Sequence, residues 1–260
     1  MKEYAVYKNT KIYFKDQGKG AAVVLLHGFL ENSTMWNNIV PKLEQKNRVI
    51  TIDLFGHGQT ESIGYIHSMD EMAKGVHAVL KSLRLRRVQI IGHSMGGYVA
   101  LAFTEYYPKM VKAICLMNST ARADSDEKKK NRDRAIRAVK HNYTTFIRIS
   151  VLNLFKPENR DIFQDEIELV TKEALKTPLQ GIIAALEGMK IRPDRTSVLS
   201  KRNIKKIMII GKDDPALDYN SLKEQAKTYN IKTIEFPDGH MSHIENKKEL
   251  TYNLLHFIEY

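Results

Sequence analysis

Ile91-Gly92-His93-Ser94-Met95-Gly96-Gly97 is the stretch that decides the fold of this chain. Before it, Val88-Gln89-Ile90-Ile91 reads as a short buried strand; after it, Gly96 through Phe103 reads as a helix. A serine at a strand-to-helix turn is forced into a strained backbone conformation that aims its hydroxyl outward. Glycines two residues before and two after leave room for that turn to close. The motif alone is short enough to arise by chance, but the strand and helix around it mark Ser94 as a nucleophile.

Outward from the elbow, Val-, Ile- and Leu-rich runs alternate with helical segments, the order expected of an α/β sheet. Tyr4 to Tyr7 and Lys11 to Lys15 predict an opening hairpin turned at Asn9-Thr10. Strands are predicted at Ala22–Leu26, Val49–Asp53, Val88–Ile91, Ala113–Met117, Lys206–Ile210 and Thr233–Phe236. Most are unbroken apolar runs, which fits parallel strands covered on both faces. Helices are predicted at Met69–Leu83, Gly97–Tyr107 (stopped by Pro108) and Leu222–Tyr229. Between Asn118 and Lys206 the strand rhythm stops, and helical periodicity runs through Asn131–His141, Tyr143–Leu154, Glu166–Leu175 and Pro178–Met189. The reading is a mostly parallel, doubly wound sheet of about eight strands. Residues 1–120 and 201–260 form its core, and a helical lid, 121–200, is inserted after the sixth strand.

The 260 residues, 43% of them hydrophobic, suffice for one large domain with a buried core. The N-terminus has no stretch suited to a signal peptide, and the longest apolar run, Ala21 to Leu26, is too short to cross a bilayer. One cysteine, Cys115, lies in an apolar run, so no disulfide framework forms, and a cytoplasmic location is expected. A net charge of +11 is scattered along the chain without interleaved aromatics or a nucleic-acid motif, and no nucleic-acid partner is expected.

A serine hydroxyl is a weak nucleophile until a histidine accepts its proton and an acid orients that histidine. Both partners are expected downstream at strand ends, in the order Ser, Asp, His. Lys206–Ile210 runs into Gly211-Lys212-Asp213-Asp214-Pro215, where the two aspartates compete for the acid role. Asp214 is the choice, three residues after Gly211 with Pro215 fixing the turn behind it. The last strand leads into Pro237-Asp238-Gly239-His240-Met241-Ser242-His243, and His240 is the candidate base. His243 reads as structural, because one base suffices, and His27, His57 and His93 show no catalytic arrangement. Oxyanion donors are expected from the backbone amide of Met95, at the start of the helix after Ser94, and of Phe29, in the loop His27-Gly28-Phe29-Leu30.

Taken together, His27-Gly28-Phe29, Asp53-Leu54-Phe55-Gly56-His57-Gly58, Gly92-His93-Ser94-Met95-Gly96-Gly97, Gly211 through Asp214 and Gly239-His240 resemble an α/β-hydrolase-fold serine hydrolase. The resemblance spans almost the whole chain. It implies Ser94 as nucleophile, Asp214 as acid, His240 as base, and Phe29 and Met95 as oxyanion donors, with no metal and no cofactor. Family members that open epoxides or remove halides carry an aspartate in place of Ser94, and the chain departs from them. Asn118 to Asp124 with Lys128 to Arg137 is similar to the carboxylesterase and enol-lactonase branch. The implied substrate is a small, largely apolar carboxylic ester, with Phe29, Leu30, Trp36, Met95 and Met117 as candidates for an apolar acyl site. Neither a membrane partner nor an oligomeric state follows.

Four other activities remain open on this fold. For a thioesterase or acyl-carrier methylesterase, the basic face Lys130, Arg134, Arg137 would attract an acidic carrier, although it reads more simply as solvated. C–C bond hydrolases and non-catalytic ligand receptors share the fold. The menaquinone-pathway lyases place an arginine four residues after the nucleophile, where this chain has Tyr98.

Overall fold

The computed structural model describes residues 3–259; Met1, Lys2 and Tyr260, at the ends of the expected core segments, lie outside them. Eight strands form one open sheet: β1 (Tyr4–Tyr7), β2 (Thr10–Gln17), β3 (Ala21–Leu26), β4 (Asn47–Ile52), β5 (Val88–His93), β6 (Val111–Met117), β7 (Lys205–Gly211) and β8 (Lys232–Phe236). Their order is β1-β2-β4-β3-β5-β6-β7-β8. β1 and β2 pair antiparallel, as do β2 and β4, and every pairing from β4 to β8 is parallel. The expected hairpin is present, but it turns one residue earlier than predicted. Lys8 and Asn9 hold positive φ values of 48° and 63°, and Thr10 already pairs with Tyr7. Two left-handed residues in a two-residue loop match the twist of a hairpin.

The apolar runs are unbroken because each strand feeds two cores. Val24, Leu26, Ile50, Ile90, Ile114 and Met208 point to one face, where they meet α2 (Met69–Ser82, after the short α1, Val40–Leu43) and α3 (Met95–Tyr106). Val23, Leu25, Val49, Ile91, Cys115 and Ile209 point to the other, against Trp36 and α1. Alternation along a strand does this sorting.

Between β6 and β7 lie α4 (Asp126–His141), α5 (Tyr143–Leu152), α6 (Gln164–Ala174), α7 (Leu179–Lys190) and the short α8 (Thr196–Leu199). The chain closes with α9 (Tyr219–Thr228), α10 (Ser242–Glu245) and α11 (Lys247–Glu259), which also packs on the second core. α4 starts five residues before the predicted Asn131, because the Ser125 hydroxyl accepts the Lys128 amide as an N-cap. Asp126 and Glu127 then sit in the first turn, where the helix dipole favours negative charge.

α7 meets the core backbone to backbone. The His67 amide donates to the Ala184 carbonyl at 2.9 Å. A Cβ at Gly181 would stand 2.2 Å from the Gly56 carbonyl oxygen, and one at Gly188 would stand 1.8 Å from that of His67. Only glycine permits so close an approach. Among the described residues no helix is long and apolar enough to cross a membrane.

Candidate active site

The site stands at the C-terminal ends of β3, β5, β7 and β8, where loops from adjacent parallel strands converge. Ser94 joins β5 to α3 with φ 50° and ψ −115°. That left-handed conformation is strained for a residue with a Cβ, and two hydrogen bonds fix it. The Ser94 amide donates to the Met117 carbonyl at 2.9 Å, and the Ser119 hydroxyl donates to the Ser94 carbonyl at 2.8 Å. The flanking glycines are demanded by contact. A Cβ at Gly92 would lie 2.4 Å from the Gly96 carbonyl oxygen, and one at Gly96 would lie 2.4 Å from that of Leu26.

Of the two competing aspartates, the structure brings Asp214 to the imidazole. His240 Nδ1 lies 2.7 Å from Asp214 Oδ2 and 2.9 Å from Oδ1. The carboxylate also accepts the amides of Ala216 (2.9 Å) and Leu217 (3.1 Å) and the Asn118 Nδ2 amide (3.1 Å). Burial opposes its charge, but His240 and these donors outweigh burial and hold its pKa below the usual value. Asp213 turns away and pairs with Lys156 at 2.6 Å on the surface. His240 is itself held by its amide, which donates to the Leu154 carbonyl at 2.9 Å.

Ser94, His240, Phe29 and Leu30 all line one cavity of about 480 Å3. Met95 is the first residue of α3, where amides have no intrahelical acceptor. Phe29 sits in the loop after β3, opposite the elbow. Of the residues proposed for an apolar acyl site, Trp36, Met95 and Met117 have side chains fully buried in the core and do not line the cavity. Tyr98, Phe146, Leu154, Leu186, Met189 and Leu217 supply its apolar walls instead. Lys130, Arg134 and Arg137 are exposed, and Arg134 pairs with Glu127 at 3.1 Å, so that face is solvated.

Several residues beneath the site carried no signal in the sequence. Glu31 is buried, and its Oε2 accepts the Gly28 amide at 2.8 Å while touching His93 Nδ1 at 2.6 Å. His93 Nε2 in turn lies 3.0 Å from the His240 carbonyl oxygen. One carboxylate thereby ties the Gly28–Phe29 loop, the elbow and, through His93, the His240 loop together. Burial works against charge on His93, but the adjacent Glu31 carboxylate outweighs it and raises the pKa. Burial likewise opposes the charge on Glu31, and His93 brings its pKa down to about 2. An imidazolium donating to Glu31 and to the His240 carbonyl satisfies both ring nitrogens. His93 was set aside at the level of sequence; its ring links the elbow to the His240 loop.

Asn118, at the end of β6, plays a similar part around Asp214. Its Nδ2 reaches Asp214 and, at 3.2 Å, the Gly239 carbonyl, while its Oδ1 accepts the Ser242 hydroxyl at 2.7 Å. His243 is buried and neutral, with burial pushing its pKa down to about 4. With Glu31 and His93 it forms a group whose ligand-type atoms lie within 4.8 Å of one another. The 2.6 Å contact inside that group is a short, charge-assisted hydrogen bond. His27 and His57 stay in the glycine-bounded loops expected of them. His27 Nε2 accepts the Leu54 amide at 2.8 Å, and burial pushes the pKa of His57 down to about 3.

The family model for the alpha/beta hydrolase fold matches residues 21–247, and the chain belongs to that family. A thermophilic esterase from Thermogutta terrifontis, solved with malate bound, is 28% identical; it superposes with a TM-score of 0.90 over 98% of this chain and 96% of its own. The enol-lactonase from Burkholderia xenovorans LB400 is 20% identical, with a TM-score of 0.91 over 99% of this chain and 100% of its own. An uncharacterized protein of Mycobacterium bovis is 40% identical over 106 residues, 41% of this chain; the match spans only 31% of that relative's length.

Proposed function

We propose that this chain is a cytoplasmic serine hydrolase that cleaves carboxylic esters of small, largely apolar substrates through an acyl-enzyme on Ser94. The observation that carries the reading is the 2.7 Å contact of His240 with Asp214 beside a serine held at positive φ on the same cavity. His240 Nε2 takes the Ser94 proton as Oγ attacks the ester carbonyl, and Asp214 stabilises the imidazolium that forms. The Phe29 and Met95 amides receive the oxyanion. The alcohol leaves with the proton from His240. Water, deprotonated by the same ring, then releases the acid and restores Ser94.

The helices within 121–200 serve as the lid that sets specificity, and the esterase similarity supports hydrolysis of esters. A buried free thiol, Cys115, suits a reducing compartment. The lyase reading draws no support from Tyr98. The Arg192 guanidinium stacks 3.9 Å over that ring, yet it is buried, paired with Asp124, and absent from the cavity lining.

A fluorophosphonate should label the protein stoichiometrically at Ser94, and short p-nitrophenyl esters should be turned over. Ser94→Ala should abolish both. Unchanged ester turnover in Ser94→Ala would refute the mechanism, and labelling without turnover across esters and thioesters would favour a receptor or lyase.

A further inference from the structure

Resting on the hydrolase reading above, we propose that the ester this site accepts carries a carboxylate on the part that lies against α4. The cavity has two chemically different ends. Its floor and one wall are apolar, but the face that α4 turns towards it is cationic. Lys128, Asn131, Arg132 and Ala135 all line the cavity, and their spacing of three, four and seven residues puts them on one side of the helix. No acidic side chain lines the same space among the described residues.

The nearby acids do not cancel this charge, because each is committed elsewhere. Asp126 faces Lys129 at 3.5 Å, Glu127 faces Arg134 at 3.1 Å and Asp133 faces Lys190 at 2.7 Å. Among the described residues Asp124 is the one acid that touches the cationic wall, and two guanidiniums share it: Arg132 Nε at 3.0 Å and Arg192 Nη1 at 2.8 Å. That trio keeps one net positive charge. Arg132 spends only its Nε on Asp124, which fixes the plane of the guanidinium and leaves its terminal nitrogens for a ligand. Lys128 adds a second charge. Its Nζ reaches the Ala216 carbonyl at 3.4 Å, beside the acid loop, and it pairs with no carboxylate among the described residues.

Two cations in a concave, partly buried space concentrate positive potential there, and an anion entering it replaces water at little cost. Arg132 offers a planar fork suited to a carboxylate, and Lys128 offers a mobile point charge. A neutral ester leaves both cations facing solvent and gains only the apolar contacts. The substrate class is therefore a two-ended molecule, with an apolar segment across the scissile bond and one carboxylate remote from it.

The test compares matched esters under a pH-stat. Monomethyl glutarate against methyl pentanoate places the charge on the acyl side; 4-acetoxybenzoate against phenyl acetate places it on the alcohol side. In at least one pair the anionic member should be favoured about tenfold in kcat/KM, the worth of two partly exposed ion pairs. The preference should reside in KM and shrink at about 0.5 M salt. Lys128→Glu should abolish it, because the new carboxylate offsets the one net positive charge left at the wall. Turnover of the neutral esters with no anionic preference in either pair overturns this inference and leaves the hydrolase reading intact. A preference that survives Lys128→Glu also overturns it. If no ester of either pair is hydrolysed in a Ser94-dependent way, the hydrolase reading fails and this inference falls with it.

Discussion

Glu31 Oε2 and His93 Nδ1 are 2.6 Å apart, sixty-two residues from each other in the chain and buried directly beneath the elbow. The pair is a brace, with the same carboxylate holding Gly28 and the same ring holding the His240 carbonyl. Replacing Glu31 by Gln removes the charge and leaves the shape. Stability should fall by about 3 kcal/mol, the cost of breaking a buried ion pair. The three loops should lose their register, lowering kcat on the order of tenfold to a hundredfold with a smaller change in KM. Urea melts and steady-state kinetics read the two effects separately, and wild-type values in both would remove the brace.

Asp214 and Asp213 are adjacent, yet they face different surroundings. Asp214→Asn should lower kcat by about 10^4, because the amide no longer stabilises the imidazolium or selects its tautomer. Asp213→Asn breaks only a surface pair with Lys156 and should change kcat less than about twofold. Comparable losses in the two variants would exchange the assignment.

Ser94 keeps a backbone conformation that a glycine adopts freely. Ser94→Gly should therefore raise stability by about 1 kcal/mol while eliminating ester turnover. A thermal melt is the direct check, and a lower Tm would mean that the turn stores no strain. Gly96→Ala should move stability the other way. Its Cβ would meet the Leu26 carbonyl oxygen at 2.4 Å, so both stability and activity should drop.

Four buried histidines, His27 among them, are held below their ordinary pKa by burial and shape the acid limb of stability. Burial lowers His57 to about 3 and both His67 and His243 to about 4. Unfolding returns each to about 6.5, so below that pH the unfolded chain binds protons that the folded chain refuses. Stability should fall as pH drops from about 6.5 towards 4, by about 1.4 kcal/mol per pH unit for each ring. Urea midpoints measured through this window should slope accordingly, and a flat profile would show that these rings are protonated in the folded state.

The strands were legible to within a residue or two, because their apolar runs are long and bounded by glycine, proline and charge. The elbow was legible because strand, turn and helix impose three constraints on seven consecutive residues. The contact of Asp214 with His240 could be anticipated because each follows a strand end within a few residues. Glu31 and His93 could not be paired, since nothing local marks a contact across sixty-two residues. The cationic wall was missed for another reason. Periodicity shows which residues of α4 share a face, but not how the helix is rotated about its axis. The sequence singled out Lys130, Arg134 and Arg137, whereas packing turned Lys128 and Arg132 inward. The early start of α4 depended on Ser125, one polar residue among many.

The glycine contacts of α7 divide the walls of the cavity into two kinds. Gly181 and Gly188 seat that helix against main chain with no side chain between, so Leu186 and Met189 hang from a support that has no slack. Reshaping the pocket there means exchanging volumes atom for atom. α4 has no such bolt, and three of the four residues it sets against the cavity, Lys128, Asn131 and Arg132, are polar, so charge can be traded on that side without moving the scaffold. Variants selected for new esters should accumulate substitutions on α4 and spare the two glycines of α7.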